Sequence, residues 1–301
     1  MPNPITTEFV LRCAKAHVNG LKNRALEVLT LSKPTSLDAA VSLVKVVSKL
    51  SPLLGNVIEL GTVEFLNSQG EYKGLGVWKR QDPDFPDAVF QGAVRPTPGL
   101  EIKAWFPFAT EITARFKNSQ TYFAQDHINV CMLAWTLDRI VYGKPMIIDV
   151  CVVSGKSIAE ARDTHYHNPP DYLVVEPEDT KSRTRNLQQT NVNGYKWQDT
   201  TAKFAEAKGL VARWGKASQV YSSSAAHQAR VRELLSRYRY RLDTNFAKMD
   251  RIVHKEIETF KTRVLENSVQ GLKIREWSRL FYEEVALKAV FRERLGIGNN
   301  S

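Results

Sequence analysis

Cysteine is scarce in this sequence, and its spacing matters as much as its number. The 301 residues contain three cysteines, Cys13, Cys131 and Cys151, which lie far apart along the chain. An odd and widely spaced set suits neither a disulfide framework nor a zinc site, because both use several closely spaced groups. We therefore expect all three side chains to be buried as small hydrophobic groups.

Long apolar runs and targeting signals are also scarce. No uninterrupted apolar run approaches the roughly 18 residues of a membrane span, and the start, Met1-Pro2-Asn3-Pro4, lacks the basic and apolar regions of a signal peptide. With 43% hydrophobic and 25% charged residues, the chain can bury a large core as one elaborated domain or two close-packed ones. We expect a cytoplasmic protein without a membrane partner.

Two short motifs fall short of a cofactor site. Ser154-Gly155-Lys156-Ser157 is similar to the end of a phosphate-binding loop, but Val150 stands where that loop requires glycine. His165 and His167 can share one side of an extended segment, yet no third ligand lies at metal-binding spacing. We therefore expect no nucleotide cofactor, and we expect the histidines to lie at the surface or to be hydrogen-bonded.

Acidic residues are scarce in the last part of the chain. Residues 1–180 contain 18 basic and 20 acidic side chains, whereas residues 181–301 contain 24 and 12, and the whole chain has a net charge of +10. A basic surplus of this size favours a polyanionic partner, because neutralised phosphates supply much of non-specific nucleic-acid affinity. A solvated basic surface is the alternative, since net charge says nothing about the fold.

The hydrophobic pattern divides the chain into three regions. Residues 1–66 have helical periodicity, with a break at 33–36 where Ser36 can cap the second helix. Residues 67–180 predict strands at 75–78, 88–91, 100–106, 130–137, 146–153 and 172–175, with a helix over 111–123. Residues 181–301 predict a basic and mostly helical region that packs on this core and binds DNA or a second subunit. The fold class is therefore α/β in the α+β sense, a mixed sheet flanked by helices.

Two parts of the basic region are candidate DNA contacts. The segment 183–196 is rich in groups that can pair with base edges in the major groove, namely Arg183, Arg185, Asn186, Gln188, Gln189, Asn191, Asn193 and Lys196. A solvated connection is the alternative for this segment. Further on, the apolar spacing predicts a helix that continues through Leu242, with Arg237 and Arg241 one turn apart on its polar side. Helices are also predicted over 249–265 and 273–295.

The most informative pattern is Pro86-Asp87, followed after thirteen residues by Glu101-Ile102-Lys103. Each half has a strand-like setting, and side chains alternate faces along a strand. Glu101 and Lys103 should therefore share one face while Ile102 enters a core. Asp87, at the start of the preceding strand, can reach the same place when the chain turns back. This is the spacing that a metal-dependent nuclease needs.

The same pattern occurs elsewhere, so its context has to select the site. An acid-x-Lys triplet arises about twice by chance in a chain of this length. Glu71-Tyr72-Lys73 follows a turn and Glu206-Ala207-Lys208 lies in a helix-like stretch, whereas Glu101 lies in an apolar strand-like run. Pro170-Asp171 with Asp179-Thr180-Lys181 is the serious competitor, although its triplet lacks apolar flanks. Asp84 is an alternative to Asp87.

The residues Pro86-Asp87 and Glu101-Ile102-Lys103 resemble the motif of the PD-(D/E)XK nuclease superfamily, over roughly residues 55–176. The resemblance implies that Asp87, Glu101 and the Ile102 carbonyl bind Mg²⁺, and that Lys103 positions or helps to deprotonate the attacking water. Family members often add an acid from a preceding helix. Glu59 occupies that place, and Glu64 is the reserve candidate.

The resemblance also implies a function. Type II restriction endonucleases are the best-known members of this superfamily, so we expect a prokaryotic, cytoplasmic enzyme that cuts double-stranded DNA at a short site. Reading a palindrome with one site per chain requires a two-fold homodimer. A repair or structure-selective nuclease of the same superfamily is the first alternative. A DNA-binding protein without catalysis, in which Glu101 and Lys103 form a structural ion pair, is the second.

Overall fold

The central feature of the structure, a computed structural model, is a five-stranded mixed sheet with helices on both faces. The structure describes residues 5–81, 84–108, 123, 125–175, 193–219, 221–222, 224–243 and 253–298. A separate three-stranded sheet lies in the C-terminal half of the chain. The predicted α+β class with a mixed sheet is therefore confirmed.

The strands of the central sheet lie side by side in chain order. They are β1 (Gly76–Arg80), β2 (Ala88–Gly92), β3 (Gly99–Trp105), β4 (Ile128–Leu137) and β5 (Pro145–Ser154). The pair β3 and β4 is parallel and the other neighbours are antiparallel. All five were predicted from alternating or continuous apolar runs, and the observed ends differ from the predicted ones by at most two residues.

Side-chain alternation gives this sheet two cores. Along β4, Cys131, Leu133 and Trp135 enter the first core, which contains the helices α1 (Thr7–Asn19) and α2 (Leu37–Asn67). Val130, Met132 and Ala134 enter the second core, on the opposite face. Both faces of β4 are therefore buried, which explains why its sequence is apolar throughout rather than alternating.

The cysteines follow this division. Cys131 lies in the first core and Cys151 in the second, while Cys13 is half-buried on α1. All three thiols are free. Burial raises the pKa of the Cys151 thiol to about 12. The expectation of buried cysteines is therefore confirmed for two of the three.

Helix α2 packs along the sheet and forms one side of the first core. Its N-cap is Ser36, as predicted, whose Oγ accepts a hydrogen bond from the Ala39 amide at 3.1 Å. Near its middle, Gly55 lies against β3: a Cβ atom placed on Gly55 would be 3.8 Å from the Ala104 Cβ. The inner face of the helix contributes a stripe of buried side chains, Ala40, Val47, Leu54, Ile58 and Leu66.

The outer face of α2 is unusually apolar. Val46, Leu53 and Leu60 are 45%, 62% and 45% exposed, and with Leu43, Leu50 and Val57 they follow a three-four spacing along the helix. By length and composition this helix could cross a membrane. The sequence still has no uninterrupted apolar run of that length, because polar residues are scattered along the helix. We call these six residues the α2 ridge.

The second sheet belongs to a small lobe. Its strands β6 (Tyr172–Val175), β7 (Asn193–Trp197) and β8 (Tyr240–Asp243) are antiparallel and lie in that order. The helices α4 (Thr201–Ala212) and α5 (Ala225–Arg237) pack on it around Leu173, Leu210, Trp214, Val231 and Leu234. The predicted strand over 172–175 is present, but it belongs to this lobe and not to the central sheet.

The lobe corrects one sequence prediction. Helix α5 ends at Arg237, so Arg241 and Leu242 do not continue it; they lie in β8, with Leu242 opposite Tyr195. The apolar spacing through Leu242 suited a helix, but pairing with β7 outweighs that local preference. Arg237 and Arg241 are therefore not neighbours on one helical face.

The remaining helices cover the second core. They are α3 (Gly155–Tyr166), α6 (Lys255–Glu266), α7 (Ile274–Leu280) and α8 (Glu284–Leu295), with a short hairpin of β9 (Ser268–Val269) and β10 (Leu272–Lys273). The helix predicted over 273–295 is thus two helices, interrupted at 281–283. The predicted helix over 111–123 lies outside the described residues except for Phe123. Residues 181–301 therefore contribute strands and helices to the lobe and helices that pack on the central sheet.

Candidate active site

The pairing of β2 with β3 brings the two motif acids together. Ala88 lies opposite Leu100, so the next position in the register places Asp87 beside Glu101. The Ile102 amide donates to Asp87 Oδ2 at 2.6 Å, and the Asp87 amide donates to Glu101 Oε2 at 3.3 Å. Backbone groups therefore hold both carboxylates in place, which limits their side-chain freedom.

Gly99 permits this close approach. A Cβ atom at Gly99 would lie 2.6 Å from Cγ of Pro86 and 3.2 Å from Cγ1 of Ile128. The first distance is far shorter than a normal carbon contact, and a proline ring has little freedom to move away. The absence of a side chain at Gly99 lets Pro86 pack onto β3 and so fixes the start of the segment that carries Asp87.

Lys103 completes the cluster. Its Nζ lies 3.2 Å from Asp87 Oδ2 and 3.3 Å from the Ile102 carbonyl oxygen, and it forms an ion pair with Glu101 Oε1. Glu101 is 1% exposed and Lys103 9%. Glu101 and Lys103 face the second core, since they lie opposite Val130 and Met132, while Ile102 enters the first core. Alternation along the strand is thus as the sequence predicts.

The electrostatics of the cluster are unbalanced. Burial raises the pKa of Glu101 to about 7, with Asp87 adding to the rise and Lys103 opposing it. Burial also acts to lower the pKa of Lys103, but the carboxylates of Glu101 and Asp87 outweigh it and raise that pKa. Lys103 therefore stays charged, and two acids share a single ammonium group.

A third acid borders the cluster from α2. Glu59 Oε1 is 2.7 Å from Arg80 Nε at the end of β1. Burial raises the pKa of Glu59 despite this partner, and the negative charge of Asp87 contributes to the rise. Glu59 is therefore within electrostatic reach of Asp87 and Lys103. Glu64, the reserve candidate, is exposed on the same helix.

The structure also separates Asp87 from its competitors. Asp84 is exposed, whereas Asp87 makes the contacts described above. Glu71 lies in a short 3-10 helix and pairs with His17 at 3.3 Å, and Glu206 lies in α4. The competing triplet at Asp179 and Lys181 lies outside the described residues.

The donor set fits a magnesium ion. Asp87 and Glu101 offer carboxylate oxygens, and Ile102 offers a backbone carbonyl oxygen on the same side as the Lys103 ammonium. Glu101 Oε1 is buried and forms no well-aligned hydrogen bond. Mg²⁺ is commonly held by one or two carboxylates together with substrate phosphates. Over the described part of the chain, no group of three His, Cys, Asp or Glu side chains forms a complete metal cage.

The candidate DNA-reading segment is described only at its end. Arg183, Arg185, Asn186, Gln188, Gln189 and Asn191 lie outside the described residues. Asn193 and Lys196 lie in β7, a strand rather than the expected loop. The alternation of Tyr195 and Trp197 with Lys196 was the signal for a strand. Lys196 is exposed and pairs in register with Arg241 of β8.

Sequence reasoning missed two neighbours of the site. Arg80 pairs with Glu59, and Gln81 binds the segment before β2: its amide donates to the Asp87 carbonyl oxygen at 2.7 Å, and its Nε2 donates to that of Pro86 at 3.2 Å. Arg80 is the last residue of β1 and Gln81 follows it directly. Their position at the end of a strand beside the motif was the available signal, but it required knowing that β1 pairs with β2.

A second buried carboxylate lies on β5. Asp149 accepts hydrogen bonds from Arg263 of α6, with Nε at 2.9 Å from Oδ2, and from the Val150 amide at 2.8 Å. Lys22 lies 3.4 Å from its Oδ1. One acid here has two cationic partners. We call Asp149, Arg263 and Lys22 the β5 cluster.

Comparison with known proteins does not identify the chain: no protein-family model matches the sequence, and no curated protein matches it. The residues of the site and their geometry are therefore the basis for a functional proposal.

Proposed function

We propose that this protein is a Mg²⁺-dependent endonuclease that hydrolyses phosphodiester bonds of double-stranded DNA at a specific short site, as Type II restriction endonucleases do. One observation carries the proposal. Asp87 and Glu101 lie side by side on paired strands, with Lys103 and the Ile102 carbonyl oxygen beside them. An oxygen-rich, acid-rich site next to a charged lysine is suited to phosphoryl chemistry.

Each residue has a distinct role in this proposal. Asp87, Glu101 and the Ile102 carbonyl would hold the ion, which when bound supplies charge stabilisation and a lower pKa of water. Lys103 orients the attacking water. It also stabilises the negative charge that develops on the water oxygen as the water loses a proton. Glu59, paired with Arg80, adds negative potential at the edge of the site.

Double-stranded DNA is the proposed substrate because of the charge distribution. The surplus of basic residues lies in 181–301, whereas the site lies in the part of the chain without a surplus. We propose that the segment from Arg183 to Lys196 reads base edges. Replacing Arg185 or Gln189 by Ala should weaken cognate binding by about 1–3 kcal/mol per lost base pair contact. Equal weakening on every sequence would assign the segment to phosphate contacts.

We also propose a homodimer, supported by the α2 ridge. The ridge is symmetric about its midpoint, so two copies packed antiparallel would bring Leu50 of one against Leu53 of the other. The same arrangement places the exposed Lys45 and Lys49, in the first half of α2, beside the half of the partner helix that carries Glu64. Sedimentation equilibrium should give twice the chain mass, and Leu53→Asp should give monomers. A monomeric wild type would refute this dimer.

The decisive test is DNA cleavage with matched variants. The wild type is incubated with unmodified phage or bacterial genomic DNA and Mg²⁺, with EDTA as the metal control. Glu101→Gln keeps the side-chain volume and should lower cleavage by at least about 10²-fold, and Lys103→Ala should be inactive while still binding DNA. Glu71→Gln is the matched control, because Glu71 belongs to another acid-x-Lys triplet and lies away from the cluster.

The products distinguish the alternatives. Discrete bands that need Mg²⁺ and are lost in Glu101→Gln support a site-specific endonuclease. A Mg²⁺-dependent smear, or cleavage only of branched DNA, supports a repair-type nuclease. Absence of cleavage on both unmodified and methylated DNA, with binding retained, supports a DNA-binding protein in which Glu101 and Lys103 are a structural pair.

A further inference from the structure

A cleft in the small lobe has the composition of a nucleotide site. It has a volume of about 610 Å³ and is lined by side chains of β7, β8 and α5. Three are tyrosines, Tyr195, Tyr238 and Tyr240, and two are arginines, Arg239 and Arg241. This volume lies within the usual range of small-molecule sites.

The tyrosines are held by the lobe. Tyr240 donates its hydroxyl hydrogen bond to the Pro170 carbonyl oxygen at 2.9 Å, and its ring lies 5.2 Å from that of Trp197. Tyr238 is 6% exposed and packs against Trp197. Tyr195 is half-buried beside the lobe core. Rings that are already ordered bind a flat ligand without losing much side-chain freedom.

The two arginines supply positive charge at the surface of the cleft. Both are exposed, and the ion pairs found among the described residues do not include either guanidinium. The nearby carboxylate of Asp199 is already used: it accepts hydrogen bonds from the amides of Thr200 at 2.9 Å and Arg239 at 3.0 Å, and from Lys203 Nζ at 3.3 Å. The guanidinium groups are therefore available to an external anion.

We propose that this cleft binds one unstacked nucleotide of a DNA strand, with its base against the ring of Tyr195 and its phosphate on Arg239 and Arg241. The faces of a base inside a duplex are covered by its neighbours, so aromatic side chains can stack only on a base that has left the stack. The proposal rests on DNA as the substrate. It adds that the lobe recognises an extruded or single-stranded position.

Binding without cleavage tests this proposal. In EDTA, fluorescence anisotropy compares a labelled 12-nucleotide thymidine strand, a fully paired duplex and the same duplex with one bulged thymidine. The wild type should prefer the strand and the bulged duplex. Tyr195→Leu, which keeps an apolar side chain but removes the ring, should weaken both by roughly 5- to 100-fold, and Tyr195→Phe should bind like the wild type.

The arginines have a separate readout. Replacing Arg239 and Arg241 together by Ala should reduce the slope of log Kd against log salt by about 0.7 on the single strand, the value for one lost phosphate contact. Arg292→Ala and Tyr282→Ala are matched controls, because both residues are exposed on or beside α8 and Tyr282 is 89% exposed. Urea unfolding verifies that each variant is folded.

The outcomes are distinct from those of the cleavage test. If Tyr195→Leu binds like the wild type while the arginine variant does not, the surface is merely basic and the nucleotide site is refuted. Equal affinity for paired and bulged duplexes refutes it as well. A protein that binds as expected but never cleaves would refute the proposed nuclease and leave the cleft intact.

Discussion

Two buried carboxylate clusters on the central sheet are built in opposite ways. In the β5 cluster, Asp149 has an arginine, a lysine and a backbone amide as partners. In the candidate active site, Asp87 and Glu101 share Lys103, and Glu59 adds a further acid nearby. Glu101 and Asp149 are both buried, so burial of the acid does not distinguish the two clusters; the charge balance does.

The number of cationic partners per acid distinguishes a structural cluster from a site that can bind a cation. A buried acid that is fully paired fixes elements relative to one another, and removing one partner is costly because the remaining charge stays buried. Burial raises the pKa of Glu101 and repulsion from the nearby Asp87 adds to the rise, so the ionised form of Glu101 is destabilised. A divalent cation would relieve that repulsion.

The largest effect is expected when the β5 cluster is broken. Arg263→Ala should lower the free energy of unfolding by about 2–3 kcal/mol, because it leaves the buried Asp149 carboxylate short of one partner. This is less than the loss of a fully buried pair, since the Arg263 side chain is 45% exposed and Lys22 and the Val150 amide remain. Urea unfolding measures this effect. Arg275→Ala removes an exposed partner of Glu266 and should cost less than about 1 kcal/mol. Equal losses would refute the structural role of the β5 cluster.

Mg²⁺ should stabilise the protein through the candidate active site and not through the β5 cluster. At a free Mg²⁺ concentration 100 times its Kd, the wild type should gain about 2.7 kcal/mol in unfolding free energy. Glu101→Gln should lose this gain, since one of the carboxylates is gone, whereas Asp149→Asn should keep it even though it is less stable at the start. Unfolding curves with and without Mg²⁺ check both. A gain that survives Glu101→Gln would place the ion elsewhere.

Next in size is a change beside Asp87. Gly99→Ala forces a Cβ atom against Pro86 and should cost about 1–3 kcal/mol, as overpacking does, and it should lower cleavage because Asp87 shifts. Gly61→Ala in α2 is the matched control: no atom lies within 4 Å of the added Cβ, and alanine is about 1 kcal/mol better in a helix. Stability and cleavage assays on both variants measure the contrast. Normal cleavage by Gly99→Ala would show that Asp87 tolerates movement.

The last prediction is a pH dependence that belongs to Glu101. Its pKa is raised in the folded protein from 4.5 to about 7, so its contribution to stability is fully present below pH 4.5 and is lost as the pH rises through 7. Without metal, unfolding free energy measured from pH 4 to 8 should show this decline, and Glu101→Gln should lack it. Cleavage should rise over the upper part of the same range, because metal binding needs the ionised carboxylate. A decline that persists in Glu101→Gln would assign it to another group.

The sequence predicts the central sheet well because local pattern determines it. The strands β2 to β5 are buried and rich in apolar or β-branched residues, and turn residues separate them. Asp87 and Glu101 could be placed together because they belong to consecutive antiparallel strands. The alternation around Ile102 then required no tertiary information.

What the sequence did not predict depends on distant pairing. β8 was taken for the end of a helix because its partner, β7, precedes it by about forty residues. The partners of Glu59 and Asp149 come from elements whose contact no local pattern encodes, and Asp149 was not singled out at all. The same limit applies to the cleft, whose residues come from three elements of the lobe.

The hydrogen bond between Asp87 and Glu101 spans a sequence separation of 14 residues, whereas that between Arg263 and Asp149 spans 114. Closing a short loop costs less chain entropy than closing a long one, and local contacts favour rapid folding. The hairpin that carries the candidate catalytic acids can thus form early, before α6 closes over β5. The two candidate catalytic acids thus come into register at a lower cost in chain entropy than the partners of the β5 cluster do.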